Sequence, residues 1–595
     1  NGDTEVKIHM AQTLPALILD TFRRSPQVDF LNYPEPDGGW RHVSTAEAFE
    51  TIRNLALGLT DLGVTRGERV GLISPPSPEW VIADLAIQSV GGVTVPIFKK
   101  ISPESFRHEV SDSGMRYLFV GYPEEIPMAV EQGRDRAEII TFGCCTDNER
   151  FQELLRRGAE IAEEAPERYQ TLVNRGTADE LCTIIYTSGS TGLPKGVELT
   201  QANLLSQISG AAARFTLHSD RDAAISLLPL AHIFERMVVY FYLTTGVPVY
   251  FVDNPKLLTT YAPTVRPTVM TVVPRLLEKV NIKMNDKAAA TPGIAGRIAQ
   301  AAIARAETRP VDGRTTLLDR IFDRLVYRKF RAALGGHLHT MISGSAKLAP
   351  ELARFFINVG LPVYEGYGMT ESSPVIAANY PGHRKVGTVG PLFPDIQVKI
   401  ADDGEILVRG PNVMRGYHNR PDATADTIQD GWLHTGDLGS IDADGYLTVS
   451  GRKKELFKKS SGEYVPPVPI ERAISEHPVV DTAVIFADNR VYVTALIFPD
   501  MEKVQQIREE RGFAAMTDAE YLASRHLRDE LQEHIDEMNT HLHHCEQVIR
   551  FEIMDHAASI ETGELTPTMK VRRGQVEEMY HDRIEEMYQQ IGGSR

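Results

Sequence analysis

Cysteine is scarce in this chain, which has four among its 595 residues and none in a C-x-x-C pair. The sequence therefore indicates neither a disulfide framework nor a zinc site, and this fits a reducing compartment. A signal-peptide-like apolar stretch is also missing from the first residues, NGDTEVKIHM. We expect a cytoplasmic protein.

Basic residues are also fewer than acidic residues. The 63 Lys and Arg residues face 80 Asp and Glu residues, and the net charge is −17. A nucleic-acid backbone would be repelled by this average charge, so we expect no nucleic-acid partner. The chain can still bind a small anion, because a local pocket can be positively charged even when the average charge of the protein is negative.

Long apolar runs are the third feature that the chain lacks. The longest uncharged stretch, residues 237–252, is interrupted by Gly246 and Pro248. It is shorter than the roughly 20 residues that a membrane-spanning helix needs. We predict a protein without a membrane span, and peripheral contact with a membrane surface stays open.

Short apolar runs alternate with helical patterns along most of the chain, for example at residues 69–74, 116–121 and 339–344. This alternation is typical of α/β layers with mainly parallel sheets. A polar, Ala- and Arg-rich insert over residues 281–335 is predicted to be helical.

The pattern changes after about residue 451. Two apolar runs surround a turn at Asp488–Asn489, and a charged helical segment follows. We therefore predict a large N-terminal α/β domain over residues 1–452 and a smaller α+β domain over residues 453–595.

The strongest motif is YTSGSTGLPKG at residues 186–196, between an apolar strand pattern and a helix with Thr200 as predicted N-cap. Glycines let a backbone approach a ligand closely, and hydroxyls and a lysine can surround phosphate oxygens. Gly196 follows the lysine where a Walker loop has Ser or Thr. A ligand-free Ser/Gly turn is the alternative. The predicted phosphate-binding residues are Thr187, Ser188, Gly189, Ser190, Thr191, Gly192 and Lys195.

This loop resembles the phosphate loop of the adenylate-forming superfamily, which includes acyl-CoA synthetases, adenylation domains and luciferases. Further motifs resemble that family in the same order. They are LLPLAHIFER (227–236), SGSAKL (343–348), VYEGYGMTE (363–371), GEILVRGPNVMRGYHNRP (404–421), DGWLHTGDLG (430–439), GRKKELFKKSSGEYVPPVPIE (451–471) and GELTPTMKVRR (563–573). The PLAHIFER form, the helical insert and the LTPTMKVRR ending are similar to the long-chain fatty acyl-CoA synthetases. The resemblance implies that the small C-terminal domain is mobile.

The resemblance implies an ATP site on the large domain. Tyr367, expected in a Gly-flanked turn, would offer a flat face to the adenine, and Asp437 and Arg452 would hold the ribose. The alternative for Asp437 and Arg452 is an exposed ion pair in a turn. The other implied nucleotide-binding residues are Gly344, Ser345, Ala346, Glu365, Gly366, Gly368, Met369 and Thr370.

Lys570, Lys195, Thr370 and Glu371 would carry the chemistry. Attack of a carboxylate on the α-phosphate builds negative charge, which Lys570 would stabilise in the transition state. Thr370 would hydrogen-bond the reacting groups, and Glu371 would be the Mg²⁺ ligand, because a hard carboxylate oxygen suits that ion. The alternatives are a helix cap for Thr370–Glu371 and a solvated basic patch around Lys570.

The remaining implied residues concern the acyl group and its acceptor. His232 and Phe234 would border the acyl pocket, although His232 also suits a buried structural role. Lys454 matches the family's hinge, and Gly462 would lie along the path of the thiol acceptor.

The sequence thus predicts a two-step ligase. A fatty acid and ATP give acyl-AMP and pyrophosphate, and coenzyme A then gives acyl-CoA and AMP. Two alternatives remain: an acyl-AMP ligase or acyl-carrier-protein synthetase with another acceptor, and a fatty-acid capture or trafficking protein with incidental ligase activity. We expect a monomer or homodimer.

Overall fold

The computed structural model describes residues 12–35, 38–187, 193–311, 313–453, 456–460, 463–566 and 569–589. Its large N-terminal part is built from layered sheets and helices, and a smaller α+β part follows. This confirms the predicted fold class, whereas the division at residues 452 and 453 stays a prediction.

The strands of the N-terminal part are numbered in chain order. They are β1 (Leu31–Pro34), β2 (Trp40–Val43), β3 (Arg69–Ile73), β4 (Val93–Pro96), β5 (Tyr117–Val120), β6 (Glu138–Thr141), β7 (Leu181–Thr187), β8 (Lys195–Thr200), β9 (Ala224–Ser226), β10 (Val249–Phe251), β11 (Val269–Val272), β12 (Thr340–Ser343), β13 (Val363–Gly368), β14 (Val375–Ala378), β15 (Gly390–Pro391), β16 (Gln397–Ile400), β17 (Glu405–Arg409), β18 (Gly416–Tyr417), β19 (Ile428–Gln429), β20 (Trp432–Ile441) and β21 (Tyr446–Arg452).

The α-helices of this part pack around the sheets. They are Leu14–Arg24, Thr45–Asp61, Pro78–Ser89, Pro103–Ser113, Ile126–Gly133, Glu149–Glu164, Arg168–Asn174, Gln201–Arg214, Ile233–Thr245, Leu258–Val265, Pro274–Ala290, Gly293–Thr308, Leu317–Phe322, Arg328–Ala333, Pro350–Val359 and Pro421–Thr427.

Two sheets are mainly parallel, as the alternating pattern predicts. Their strand orders are β14-β13-β12-β11-β9-β10-β1-β2 and β18-β8-β7-β4-β3-β5-β6. Strands such as β4, β5 and β12 are buried along their whole length, which is why they read as continuous apolar runs. Ligands of such sheets bind beyond the carboxyl ends of the strands.

The third sheet is antiparallel, with the order β15-β21-β20-β17-β16 and β19 beside β20. Its longest strand, β20, alternates between buried and half-buried residues over most of its length, as expected for a sheet with one packed face. The insert is helical as predicted, and its segment 317–333 contains a π-helical turn at Asp323–Tyr327.

The C-terminal part has two short strands, β22 (Phe457–Lys458) and β23 (Tyr464–Val465), and a sheet of β24 (Val480–Phe486), β25 (Val493–Pro499) and β26 (Val548–Ile553). Asn489 has a left-handed φ of 54° in the predicted turn between β24 and β25. The helices are Pro467–Ile474, Met501–Glu510, Asp518–Leu522, Arg525–Asn539, Arg573–Met579 and His581–Gln589. Among the described residues, no helix is both long and apolar enough to cross a bilayer.

A buried ion pair joins two helices of the N-terminal part. Arg236, on the helix Ile233–Thr245, pairs with Asp84 on the helix Pro78–Ser89, and both side chains are buried. Arg236 also donates to the Thr183 hydroxyl on β7 at 2.7 Å, and Thr94 on β4 donates to Asp84 at 2.7 Å. The network therefore ties both helices to the second sheet.

We predict that Arg236→Met lowers the free energy of unfolding by about 3–5 kcal/mol, because it leaves the Asp84 carboxylate buried without its partner. Equilibrium urea unfolding followed by circular dichroism measures the change. The matched control is Arg24→Met, which removes the part-exposed partner of Asp20 and should change stability by about 1 kcal/mol or less. Equal effects of the two substitutions would contradict the structural role of the buried pair.

Candidate active site

The predicted phosphate loop joins the antiparallel strands β7 and β8, in which Thr187 faces Lys195. Thr200 caps the following helix as predicted, since its hydroxyl accepts the Asn203 N–H at 3.2 Å. The predicted loop residues 188–192 lie outside the described residues. The structure thus places the first and last members of the loop at one end of a buried hairpin.

Tyr417, which was not among the predicted site residues, contacts both Lys195 and Glu371. The Lys195 ammonium lies 4.3 Å from the centre of the Tyr417 ring, which favours a cation–π contact. The Tyr417 hydroxyl donates to Glu371 Oε1 at 2.8 Å. Burial, and then the charge of Glu371, hold the pKa of Tyr417 far above its ordinary value, so the hydroxyl keeps its proton. The only sequence signal for Tyr417 was its place in the motif series.

Glu371 lies in a 3₁₀ turn, Thr370–Ser372, just after β13, and is nearly buried. Its backbone carbonyl accepts the Met414 N–H at 2.9 Å, and the Tyr417 hydroxyl orients its carboxylate. A carboxylate oriented in this way near Lys195 is the kind of donor that Mg²⁺ uses when it binds through one protein carboxylate, waters and substrate phosphates. The donor chemistry of the site therefore fits that ion.

Tyr367 lies in strand β13, not in the turn that the sequence predicted. Gly368 permits close packing against the chain before β14: a Cβ on Gly368 would lie 1.8 Å from the Pro374 carbonyl oxygen. The Tyr367 hydroxyl donates to Asp437 Oδ2 at 2.7 Å, and Tyr367 itself is half-buried. Its ring is therefore held at the carboxyl end of β13.

Asp437 and Arg452 face each other across the antiparallel strands β20 and β21, with Arg452 Nε 3.0 Å from Asp437 Oδ1. Asp437 is only 4% exposed, whereas Arg452 is exposed, and both residues lie in strands and not in a turn. Together with Tyr367, the pair forms a polar wall that joins the antiparallel sheet to the end of β13. The two carboxylate oxygens of Asp437 are the hydrogen-bond acceptors in this wall.

The turn after β12 contains Gly344, Ser345 and Ala346, which the sequence predicts to bind the nucleotide. A Cβ on Gly344 would lie 3.0 Å from the Phe234 ring, so this turn packs directly against the predicted acyl-pocket segment. Ser345 has a left-handed φ of 69°. Glu365 accepts the Leu348 N–H at 2.9 Å, and burial raises the pKa of its carboxyl to about 7. Glu365 thus fixes this turn to β13, which also carries Gly366, and Met369 follows directly after the strand.

His232 is the N-cap of the helix Ile233–Thr245, where its Nδ1 accepts the Phe234 N–H at 3.2 Å. Accepting through Nδ1 places the proton of the neutral ring on Nε2. Burial, and secondly the positive charge of Lys570, lower the pKa of His232 to about 4. The ring is therefore neutral near pH 7, and its geometry supports both a structural role and a place in the pocket wall.

Lys570 reaches this site from the C-terminal part, as its effect on His232 requires. It lies in a tight turn where its N–H donates to Thr566 Oγ1 at 3.0 Å and its carbonyl accepts the Thr566 N–H at 2.8 Å. Lys100 Nζ, from the N-terminal part, lies 2.5 Å from Glu561 Oε1 near this turn. The described arrangement therefore brings Lys570 to the edge that carries Gly344 and Phe234. Lys454 and Gly462 lie outside the described residues.

Known proteins match this chain over most of its length. A profile described as "AMP-binding enzyme" matches residues 20–418, and one for the "AMP-binding enzyme C-terminal domain" matches residues 455–592. The long-chain-fatty-acid–CoA ligase FadD15 of Mycobacterium bovis is 38% identical, over 96% of each chain. The peroxisomal long chain acyl-CoA synthetase 6 of Arabidopsis thaliana is 30% identical, over 94% of this chain and 83% of its own.

Solved structures share the fold at low identity. The adenylation domain of a carboxylate reductase from Mycobacterium chelonae has a TM-score of 0.77 at 19% identity, covering 99% of this chain and 93% of its own. The O-succinylbenzoate coenzyme A synthetase of Bacillus subtilis, in complex with AMP, has a TM-score of 0.66 at 20% identity, covering 94% and 98%.

We predict that Lys570→Gln raises the pKa of His232 above about 4, because the removed positive charge no longer opposes the imidazolium. The pKa should stay below its ordinary value of about 6.5, since burial is the larger cause. NMR titration of labelled histidines measures it, and loss of the signal in His232→Gln assigns it. The control is Lys503→Gln, which removes a charge of the same C-terminal part near Asp286. An unchanged pKa in Lys570→Gln would contradict the proximity of the two residues.

Proposed function

The chain belongs to the AMP-binding enzyme family, and on that premise we propose that it is an ATP-dependent ligase that joins long-chain fatty acids to coenzyme A. The observation that supports the proposal is that Lys570, from the C-terminal part, acts electrostatically on His232, which caps the helix whose Phe234 packs on Gly344. A cation from the second part of the chain thereby completes a site that already holds Lys195 and Glu371. The named activity of the full-length relatives supports the choice of substrates.

In the proposed first step, a fatty-acid carboxylate oxygen attacks the α-phosphorus of ATP. A new O–P bond forms, the bond to the bridging oxygen breaks, and acyl-AMP and pyrophosphate result. Lys570 and Lys195 stabilise the negative charge that grows on the phosphate oxygens, and Thr370 hydrogen-bonds the reacting groups. Residues 187–192 hold the phosphates, and no covalent bond to the enzyme is needed.

The nucleoside half of ATP is proposed to bind between two walls. Tyr367 stacks on the adenine, and Gly344, Ser345 and Ala346 close the opposite side. Asp437 accepts the ribose hydroxyls and Arg452 keeps its carboxylate oriented, as their contact at 3.0 Å supports. Glu365, Gly366, Gly368 and Met369 act through the backbone that supports these side chains.

Glu371 is the proposed Mg²⁺ ligand, with Tyr417 holding its carboxylate in place. Bound Mg²⁺ would neutralise phosphate charge. His232 and Phe234 line the acyl pocket. Because the low pKa of His232 keeps its ring neutral, the ring adds no charge beside an apolar chain and does not serve as a base near pH 7.

In the proposed second step, the thiol of coenzyme A attacks the acyl carbon of acyl-AMP, the C–O bond to phosphate breaks, and AMP leaves. The C-terminal part turns at Lys454, which withdraws Lys570 and brings Gly462 to the thiol path. Two of the ion pairs between the two parts suit such a rotation, whereas another, Arg275–Asp481, is less exposed and would have to break. Lys256–Glu502 and Lys100–Glu561 are exposed, and pairs of this kind contribute about 0–1 kcal/mol each.

The proposal includes a cytoplasmic enzyme, monomeric or homodimeric, that contacts a membrane peripherally, because its apolar substrate partitions there. Nothing in the site favours an acceptor other than coenzyme A or a trafficking role without ligase activity. Those alternatives are outcomes of the following test.

The test is pyrophosphate release with a series of fatty acids of increasing length, with and without coenzyme A. We expect slow or single-turnover release without coenzyme A, rapid turnover with it, and the highest kcat/KM for long chains. Release that is indifferent to coenzyme A would indicate another acceptor. Absence of release with every acid would contradict the proposed activity.

A matched pair of variants checks that the release comes from this site. Glu371→Gln should lower the rate at least about 100-fold, since it removes the proposed ion ligand. Asp402→Asn, an exposed acid in the turn before β17, should leave the rate unchanged.

A further inference from the structure

An exposed aliphatic stripe runs along the helical insert. Leu317 is 74% exposed, Leu318 50%, Ile321 45% and Leu325 46%. Ile282 and Ile294 of the same insert are exposed as well, so six of the sixteen exposed large hydrophobic side chains among the described residues fall in residues 281–335. Such clustering distinguishes the insert from a surface with singly scattered apolar residues.

This helical segment has two apolar faces. One is packed against the protein core, and the other, the stripe, is exposed. Leu317, Ile321 and Leu325 are spaced by four residues and share one side of the segment. Phe322 and Val326 point to another side, where they are buried in the core beneath the insert. The stripe is therefore not needed to hold the insert on the protein.

Arginines border the stripe. Arg320, Arg324 and Arg328 follow the same four-residue spacing and are exposed. Within the described part of the chain their side chains form no ion pair, whereas Arg331 Nη1 lies 2.6 Å from Asp323 Oδ1. Residues 281–335 contain 11 Lys and Arg against 5 Asp and Glu, a net charge of +6 in a chain of net charge −17. Positive charge is thus concentrated where the aliphatic side chains are exposed.

We propose that this face, Leu317, Leu318, Ile321 and Leu325 with Arg320, Arg324 and Arg328, docks on the surface of an anionic phospholipid bilayer. Aliphatic side chains enter the boundary between headgroups and acyl chains, and the arginines pair with lipid phosphates. The stripe extends over eight residue steps, about 12 Å at 1.5 Å per residue. That is small for a stable interface with a second copy, which takes about 20–30 residues a side.

The position of the insert links this surface to the site. The helix Pro274–Ala290 begins directly after β11, and the insert shares its core with β11 and the helix Pro350–Val359. That core therefore adjoins the sheet whose strands β12 and β13 end at the candidate active site. Docking would hold the protein where a fatty acid is concentrated; this benefit rests on the proposed function, whereas the docking itself does not.

Co-sedimentation tests the proposal on the full chain, without ATP or coenzyme A. Vesicles of phosphatidylcholine alone are compared with vesicles that also contain phosphatidylglycerol. We expect binding to the anionic vesicles, weak binding to the neutral ones, and loss of binding at high salt. The stripe variant Leu317→Ser, Leu318→Ser, Ile321→Ser and Leu325→Ser, and the charge variant Arg320→Gln, Arg324→Gln and Arg328→Gln, should each bind at least about tenfold more weakly.

Matched controls carry the same changes elsewhere on the exposed surface. The apolar control replaces Val28, Tyr464, Val468 and Val491 with Ser, and the charge control replaces Arg107, Arg168 and Arg525 with Gln. Both should bind as the parent does. Circular dichroism and pyrophosphate release with a short, soluble acid establish that each variant is folded.

Three outcomes would overturn the proposal: parent-like binding by both insert variants, no binding of the parent to anionic vesicles, or equal loss in the controls. If the insert variants instead change the oligomeric state in light scattering and leave vesicle binding intact, the face joins copies of the chain, and the proposal is wrong. Vesicle binding by a protein that releases no pyrophosphate would reject only the proposed function.

Discussion

The arrangement depends on one electrostatic constraint: the positive charge of Lys570 is supplied to a site built by a different part of the chain. Attack on a phosphate creates negative charge that a cation must meet at close range. The N-terminal part carries Lys195, Glu371 and Asp437, whereas Lys570 belongs to the C-terminal part and lies close enough to His232 to lower the pKa of its ring. Two of the ion pairs between the two parts are exposed, and pairs of this kind are weak.

Polar contacts, several of them buried, stabilise the N-terminal part of the proposed active site. His232 caps the helix that also carries Arg236, one turn later, and the pair of Arg236 with Asp84 ties this helix to the second sheet. Tyr417 links Lys195 to Glu371, and Tyr367 links β13 to Asp437. Each link is short and directional. The sheets therefore set the geometry of the site, while the C-terminal part contributes the charge of Lys570.

The sequence predicted the parallel strands and the C-terminal hairpin well, because buried strands read as apolar runs and Asn489 marks the turn. The prediction that Tyr367 lies in a turn was wrong, because glycines on both sides are typical of turns, whereas Gly368 in fact permits close packing of β13 against Pro374. Arg236 and Tyr417 escaped notice, because their partners Asp84 and Glu371 are distant in sequence and no local pattern encodes such pairs. The site residues at 188–192, 454 and 462 lie outside the described residues, so their roles rest on the family resemblance.

Separate measurement of the two half-reactions in Lys570→Ala tests the central claim most directly. We predict that the rate of acyl-AMP formation, measured as pyrophosphate release, falls at least about 100-fold. The rate of transfer from supplied acyl-AMP to coenzyme A should be largely retained. Lys503→Ala should leave both rates unchanged. Equal loss of both half-reactions in Lys570→Ala, or retention of acyl-AMP formation, would contradict the claim that Lys570 completes the site for the first step alone.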